Sequence, residues 1–118
     1  MNILYSVIAV FVGSGLGGVC RWALATWCNT NHPIGTFIAN ILGCFFIGLF
    51  SRVLPVNDPL RLLLIAGFCG GFTTFSTFIN ENLLMMRSGQ LVYALLYATL
   101  SILSGLLAAW AGYNFRIR

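Results

Sequence analysis

The stretch Gly-Phe-Cys-Gly-Gly-Phe-Thr-Thr-Phe-Ser-Thr-Phe, at residues 67–78, decides the fold of this chain. It places three glycines and a run of hydroxyl and phenyl side chains inside a segment that is otherwise apolar enough to cross a bilayer. In hydrocarbon every backbone N–H and C=O needs a partner, so a loosened helix persists only where another helix, an ion or water satisfies the freed groups. Broken spanning helices are typical of ion and substrate sites. The stretch therefore predicts a spanning helix that is broken near its middle, beside a functional site.

The composition indicates a membrane protein. Of the 118 residues 59% are hydrophobic and only 7% are charged. The charged residues separate four apolar runs, at 3–20, 34–51, 62–80 and 88–115. Each run reaches the roughly 18 to 20 residues that a helix needs to cross a hydrocarbon core of ~30 Å. The sequence predicts an all-α membrane protein with four transmembrane helices in a single domain over residues 1–118.

The titratable residues argue against an enzyme and against a nucleic-acid partner. Asp58, Glu81 and His32 cannot be brought together by their spacing, and the sequence has no Gly-x-Ser-x-Gly or Cys-x-x-Cys motif. The net charge of +4 comes from arginines that flank the apolar runs. A nucleic-acid-binding protein would instead need a basic patch on one surface.

The arginines show only a weak bias between the two membrane faces, four against two, with Asp58 on the richer side. An even number of spans puts both termini on one side of the membrane. That side holds Arg52, Arg61, Arg116 and Arg118, and the other side holds Arg21 and Arg87. Membrane proteins of fixed orientation normally show a clear excess of positive charge on the cytoplasmic side. The count predicts that the chain inserts in both orientations.

Small residues recur at four-residue spacing in three of the runs. The stripes are Gly13 and Gly17, Gly67 and Gly71, and the series Ser101, Gly105 and Ala109. Such stripes let helix backbones approach closely, and this packing drives helix association in lipid. They are compatible with packing inside one chain and with packing between copies, and four short helices enclose so little space that we expect an oligomer.

The interior of the predicted bundle offers neutral donors rather than acids. Glu81, toward the end of the third run, is the only carboxylate inside a span, so a cation or proton pathway would lack its usual mid-membrane acid. Phe75 and Phe78 can present ring edges, which carry the positive end of the aromatic quadrupole. The donors that can face an anion are the amide of Asn40, the phenol of Tyr97 and the hydroxyls of Thr36, Ser76, Thr77 and Ser101. Neutral donors suit the passage of a small anion better than a fixed arginine, because an arginine would bind the anion too tightly for it to leave.

Three blocks of the chain resemble the CrcB/Fluc fluoride channels. They are Gly13-x-x-x-Gly17-Gly18-x-x-Arg21-Trp22, then Gly35-Thr-Phe-Ile-Ala-Asn40-x-x-Gly43-x-x-x-x-Gly48, and residues 67–78 followed by Glu81. The resemblance implies a dual-topology homodimer of antiparallel subunits in the bacterial inner membrane. It also implies two pores, lined by both chains, that export fluoride from the cytoplasm by passive electrodiffusion.

The same resemblance implies a role for individual residues. Phe75 and Phe78 would line the pores, with the rings of one chain serving different pores, and Asn40 would be the amide donor beside them. Arg21 and Glu81 would be vestibule residues. The polar track would contain Thr36, Tyr97 and Ser101, whereas Gly105 departs from the hydroxyl expected there.

The resemblance further implies a structural sodium ion at the dimer axis. Its ligands would be the backbone carbonyls of Gly70 and Thr73 from each subunit. Carbonyls that face a twofold axis would repel one another without a hard cation, and such cations take oxygen ligands. A helix kink satisfied by the hydroxyls of Thr73 and Thr74 is the alternative that needs no ion.

Two other functions are compatible with four short spans. A small multidrug-type exporter exchanges protons for a cationic drug and needs a membrane-embedded acid, for which Glu81 is the only candidate. A non-transporting membrane assembly subunit would explain the glycine stripes, but it would leave the cluster of hydroxyl and phenyl groups without a purpose.

Overall fold

The computed structural model describes residues 2–29 and 32–115, and these residues are helical apart from short connections. The elements are α1 (Ile3–Cys28), α2 (Ile34–Val53), α3 (Pro59–Arg61), a π-helical segment (Leu62–Cys69), α4 (Gly70–Phe72), α5 (Ser76–Arg87) and α6 (Leu91–Tyr113). Within the described residues, four helical stretches are long and apolar enough to cross a membrane, namely α1, α2, the third span Pro59–Arg87 and α6. The prediction of an all-α membrane protein with four spans is confirmed. Arg116 and Arg118, which entered the orientation count, lie outside the described residues.

The first helix is longer than its apolar run. It passes Arg21 and ends at Cys28, although the run ends at Cys20. Arginine is a good helix former, so it does not end the helix. The side chain is half-buried, and its Nε donates to the carbonyl oxygen of Gly71 at 3.1 Å. Arg21 therefore lies inside the helical bundle rather than in a connecting loop.

The third span is interrupted near its middle, as the sequence predicts. It begins at Asp58, whose side chain accepts a hydrogen bond from the Leu60 amide at 2.9 Å, and it continues as a π-helix of eight residues. Such π-helical turns are rare and are frequently found at functional sites. After Phe72 the backbone becomes extended at Thr73, with φ −85° and ψ 157°, and helical structure resumes at Ser76.

Glycines set the distance between paired helices. The helix α1 lies against the π-helical segment, where a Cβ atom added to Gly13 would come within 2.8 Å of the Gly67 Cα. The helix α2 lies against α6, where a Cβ added to Gly48 would collide with the carbonyl oxygen of Ala109. The small residues at these positions thus pack helices within one chain, which is one of the two interpretations that the sequence left open.

Two arginines bind backbone carbonyl oxygens at the C-terminal ends of α2 and α6. Arg52 donates from Nη1 to the carbonyl oxygen of Tyr113 at 3.0 Å, and its guanidinium carbon lies 5.8 Å from the centre of the Tyr113 ring. Arg61 donates to the carbonyl oxygen of Leu54 at 2.8 Å. Both cations therefore satisfy carbonyls at helix C-termini, where positive charge is favourable.

We predict that Gly48→Ala destabilises the fold. The added methyl group would collide with the backbone of α6, and overpacking of this kind typically costs about 1–3 kcal/mol. The control is Gly15→Ala, because a Cβ at Gly15 meets no atom within 4 Å. The free energy of unfolding would be measured by denaturant titration in mixed micelles. Equal stability of the two variants would contradict the close approach of α2 and α6.

Candidate functional site

The interruption of the third span is bounded by local hydrogen bonds of two threonines. On one side Thr73 donates from Oγ1 to the carbonyl oxygen of Cys69 at 2.8 Å. On the other side the Oγ1 of Thr74 accepts from the Thr77 amide at 3.2 Å and so caps the first turn of α5. Threonine side chains commonly satisfy backbone groups in this way where a spanning helix is disturbed.

Asn40, on α2, forms hydrogen bonds with the backbone N–H and C=O of Thr74, which lies in the break of the third span. The amide of Thr74 donates to the Asn40 Oδ1 at 2.8 Å, and the Asn40 Nδ2 donates to the carbonyl oxygen of Thr74 at 3.3 Å. A primary amide has two N–H groups, so one N–H of Asn40 remains available for a further acceptor. The predicted anion donor is thus also a structural partner of the break.

A groove of about 250 Å³ opens beside this pair. Ser101, on α6, lines the groove, and its Oγ is a buried side-chain oxygen with no hydrogen-bond partner among the described residues. The other lining residues are Asn40, Cys44, Ile47, Thr73, Thr74, Phe75, Phe78 and Ile102. Buried polar groups are nearly always satisfied, so an uncommitted hydroxyl at this position calls for an explanation.

The two phenylalanines of the break lie in different surroundings. Phe75 is 76% exposed, whereas Phe78 is only 7% exposed and packs 5.1 Å from the ring of Tyr97, centre to centre. The two ring centres are 6.3 Å apart. Ser76 is exposed and Thr77 is half-buried, so neither is enclosed in the bundle as Phe78 is.

Glu81 is the centre of a second polar cluster. Its Oε2 accepts from the hydroxyl of Thr36 at 2.8 Å, and its Oε1 accepts from the phenol of Tyr97 at 3.0 Å. Thr36 is 1% exposed and Tyr97 is 8% exposed, so both donors lie in the interior. Two side chains that the sequence assigned to a polar track therefore converge on the one carboxylate of the spans.

Asn29 completes the Glu81 cluster, and the sequence analysis did not single it out. Its Nδ2 donates to Glu81 Oε2 at 3.4 Å, while its Oδ1 accepts from the amide of Gly35 at 2.6 Å and thereby caps α2. Asn29 precedes the first residue of α2 by five positions, whereas capping preferences concern the residue directly before a helix, so no sequence signal identified its contacts.

Glu81 also lines an open polar cavity of about 280 Å³ at the end of the bundle. Its other lining residues are Asn29, His32, Pro33, Leu84, Met85, Ser88 and Gln90. Arg21, the other residue assigned to a vestibule, is instead bonded to Gly71 next to the break. The two charged residues thus have separate sets of partners.

The carbonyl oxygens assigned to the sodium ion are open to a ligand. Among the described residues no donor is paired with the carbonyl oxygen of Gly70 or of Thr73. Gly70 is exposed, and a Cβ added to it would meet only the Ile65 carbonyl oxygen, at 3.7 Å. Neutral oxygens without donors fit a hard cation in kind, because such ions take oxygen ligands.

The fold and these clusters define a class of protein. Four membrane-spanning stretches, one of them discontinuous beside a groove that Asn40 and Ser101 line, make this a polytopic integral membrane protein with a broken span. Residues 8–113 match the family model described as "CrcB-like protein, Camphor Resistance (CrcB)". The chain belongs to the CrcB family.

Relatives of high similarity carry one name, "Fluoride-specific ion channel FluC". The protein of that name from Flavobacterium psychrophilum is 41% identical over 115 residues, which are 91% of this chain and 93% of the relative. The one from Phocaeicola vulgatus is 43% identical over 115 residues, 91% and 94% of the two chains. A third, from Escherichia coli, is 41% identical over 108 residues, 86% and 85% of the two chains. With such bacterial relatives and its four spans, the chain is an integral protein of the inner membrane.

We predict that Thr36→Val destabilises the protein by about 1–3 kcal/mol, the typical cost of leaving a buried polar group without its partner. Valine has nearly the shape of threonine but removes the donor that lies 2.8 Å from Glu81 Oε2. Thr36→Ser, which keeps the hydroxyl, is the control. The free energy of unfolding in mixed micelles is the measurement. A valine variant as stable as the serine variant would show that this hydrogen bond contributes nothing.

Proposed function

We propose that the protein is a fluoride-selective channel that exports fluoride from the cytoplasm by passive electrodiffusion. The observation that carries this proposal is the 41–43% identity to proteins named fluoride-specific ion channels, which extends over 86–91% of the chain. The matched region includes the broken span and both polar clusters. The relatives bear the name of a channel rather than of an enzyme.

The donors at the break support an anion as the solute. The hydroxyl of Ser101 and the second N–H of Asn40 have no partner among the described residues, and both residues line one groove. Phe75 and Phe78 border the same groove and can add the positive edges of their rings. These neutral donors could replace part of the hydration shell of a small anion without holding it as a fixed cation would.

The hydrogen bonds of Glu81 argue for a channel and against the exporter alternative. A proton-coupled exporter needs an acid that alternately binds a proton and a cationic substrate. The carboxylate of Glu81 accepts hydrogen bonds from three neutral side chains, those of Asn29, Thr36 and Tyr97. Three such bonds occupy most of the lone pairs of the carboxylate and leave few for an exchanging proton and substrate.

We propose further that two antiparallel copies form the channel and enclose two pores. The groove at the break is open on one side, and Phe75, at 76% exposure, stands at its border. A second copy would cover the exposed ring and close the groove. The weak four-to-two bias of the arginines supports the opposed orientations of the two copies.

A structural sodium ion at the centre of that dimer is the last part of the proposal. The carbonyl oxygens of Gly70 and Thr73 would hold it, since neither is paired with a donor in the described residues. The ion would offset the mutual repulsion of carbonyls from the two copies. It would be a part of the structure rather than a transported ion.

Ion efflux from proteoliposomes tests the proposed function. We expect fluoride efflux without chloride efflux, and we expect Phe75→Ile and Phe78→Ile to cut the fluoride flux sharply while the protein still assembles. Isoleucine keeps the bulk but lacks the ring edge that can face an anion. Absence of fluoride efflux from the parent protein would overturn the proposal. If both isoleucine variants conduct fluoride like the parent protein, the two rings contribute only to packing and not to fluoride transport.

The dual orientation is tested by accessibility labelling. A single surface cysteine would replace Ser88, which is exposed in the turn before α6, in a background without the four native cysteines. We expect an impermeant reagent to label it from both sides of the membrane. Labelling from one side alone would contradict the antiparallel dimer.

The sodium site predicts an ion-dependent dimer. A cation that binds only the assembled dimer stabilises it by mass action, so subunit exchange in detergent should be slower in sodium than in potassium or a large organic cation. Thr73→Ser should keep this dependence, because the ligand is a backbone atom. Equal exchange rates of the parent protein in all three cations would contradict the site.

A further inference from the structure

We propose that Asn40 is a positioning residue that holds the third span open, and that it does so by replacing both helical hydrogen bonds of the Thr74 peptide. The consequence is that the carbonyl of Gly70 is left without a donor. The first part stands on the geometry of α2 and the third span. The second part, in which the freed carbonyl serves a cation, rests on the proposed function.

The backbone N–H and C=O of Thr74 do not make the hydrogen bonds that an unbroken helix would require. In an α-helix each amide donates to the carbonyl four residues earlier. The amide of Thr74 would therefore donate to Gly70, and the carbonyl of Thr74 would accept from Phe78. Instead, the Thr74 amide donates to Asn40 Oδ1 at 2.8 Å, and the Thr74 carbonyl accepts from Asn40 Nδ2 at 3.3 Å. One side chain substitutes for both helical partners.

The chemistry of the pair fixes the orientation of the Asn40 amide. A peptide N–H can only donate and a peptide carbonyl can only accept, so Oδ1 must face the amide of Thr74 and Nδ2 must face its carbonyl. A carboxylate, which only accepts, cannot make both bonds, and a hydroxyl would have to make both from one oxygen atom. Asparagine offers an acceptor and a donor on two separate atoms, which face the Thr74 N–H and carbonyl respectively.

The neighbouring turn of α2 is shaped to receive the opened backbone. A Cβ added to Gly43 would collide with the Cγ2 methyl of Thr73, so the extended residue fits only because position 43 has no side chain. Asn40 and Gly43 are one turn apart and therefore lie on the same face of α2. That face supplies both the hydrogen bonds and the space for the break.

The break does not hold itself open on the α5 side. The hydroxyl of Thr74 caps the Thr77 amide at 3.2 Å, and this bond stabilises the start of α5. It does nothing for the Thr74 peptide itself. Without Asn40 the amide and the carbonyl of Thr74 would both lose the partners that they have in this structure, and rejoining the helix through Gly70 would give the amide a new acceptor.

The inference assigns Asn40 a task that does not require contact with the solute. Its Oδ1 and one Nδ2 hydrogen are committed to Thr74, and only the second Nδ2 hydrogen is left for the groove. Loss of Asn40 should therefore alter the backbone at Thr73, the groove and the Gly70 carbonyl together.

The test is an NMR measurement of the backbone at Thr73 in protein labelled with ¹³C,¹⁵N-threonine and reconstituted in nanodiscs. In the parent protein the Thr73 Cα shift should lie in the extended range, as φ −85° and ψ 157° require. In Asn40→Ala it should move downfield into the helical range. The control is Asn82→Ala, which removes an asparagine amide that donates to the Phe78 carbonyl within α5, at 2.8 Å, and should leave Thr73 unchanged. An extended Thr73 in Asn40→Ala would overturn the proposal.

A rescue variant covers the case in which Asn40→Ala does not fold. Proline has no N–H to return to Gly70, and it biases the preceding residue toward extended backbone. Asn40→Ala/Thr74→Pro should therefore fold and should recover sodium-dependent subunit exchange. If neither Asn40→Ala nor the double variant folds, the proposal is overturned. It is also overturned if the double variant folds but its subunit exchange does not depend on sodium. Because the Thr73 shift requires no transport, an absence of fluoride efflux from the parent protein would count against the proposed function and not against the role of Asn40.

Discussion

Pairing of backbone polar groups in hydrocarbon is the constraint on which this structure depends. A continuous helix meets it without help, whereas a helix that opens in the middle of a membrane must find outside partners for each freed group. Asn40 provides two of those bonds at the Thr74 peptide, and Arg21 provides another at Gly71. The glycine contacts of α1 and α2 bring these donors close enough to act. Helix packing and the polar site are thus consequences of one requirement.

The two polar clusters divide the donors into committed and free groups. Around Glu81, the hydroxyls of Thr36 and Tyr97 are engaged with the carboxylate. Around the break, Ser101 and one N–H of Asn40 have no acceptor in the described part of the chain. The uncommitted donors belong to residues that line the groove with Phe75 and Phe78, and the committed ones bind Glu81, which lines the open cavity at the bundle end. This division favours the break as the place where an anion loses water.

Much of the architecture is readable from the sequence, because hydrocarbon imposes simple rules on composition and length. The four spans and the break at 67–78 follow from apolar runs and from glycines placed among hydroxyls. The contact of Arg21 with Gly71 does not follow, because the two residues are fifty positions apart and meet only through the packing of α1 on the third span. The sequence also suggests Asn40 and Thr36 as polar residues of interest. It does not reveal their partners, since Thr74 and Glu81 reach them only through the packing of different spans.

The central claim is that the broken span forms a passive path for fluoride, and its most direct test is electrical. Purified protein would be fused into a planar bilayer with a fluoride gradient across it and with the cation and pH held equal on the two sides. The account predicts a current that reverses at the equilibrium potential of fluoride and does not move when chloride is added to one side. A reversal potential that follows chloride or the proton gradient, or the absence of any current, would contradict it.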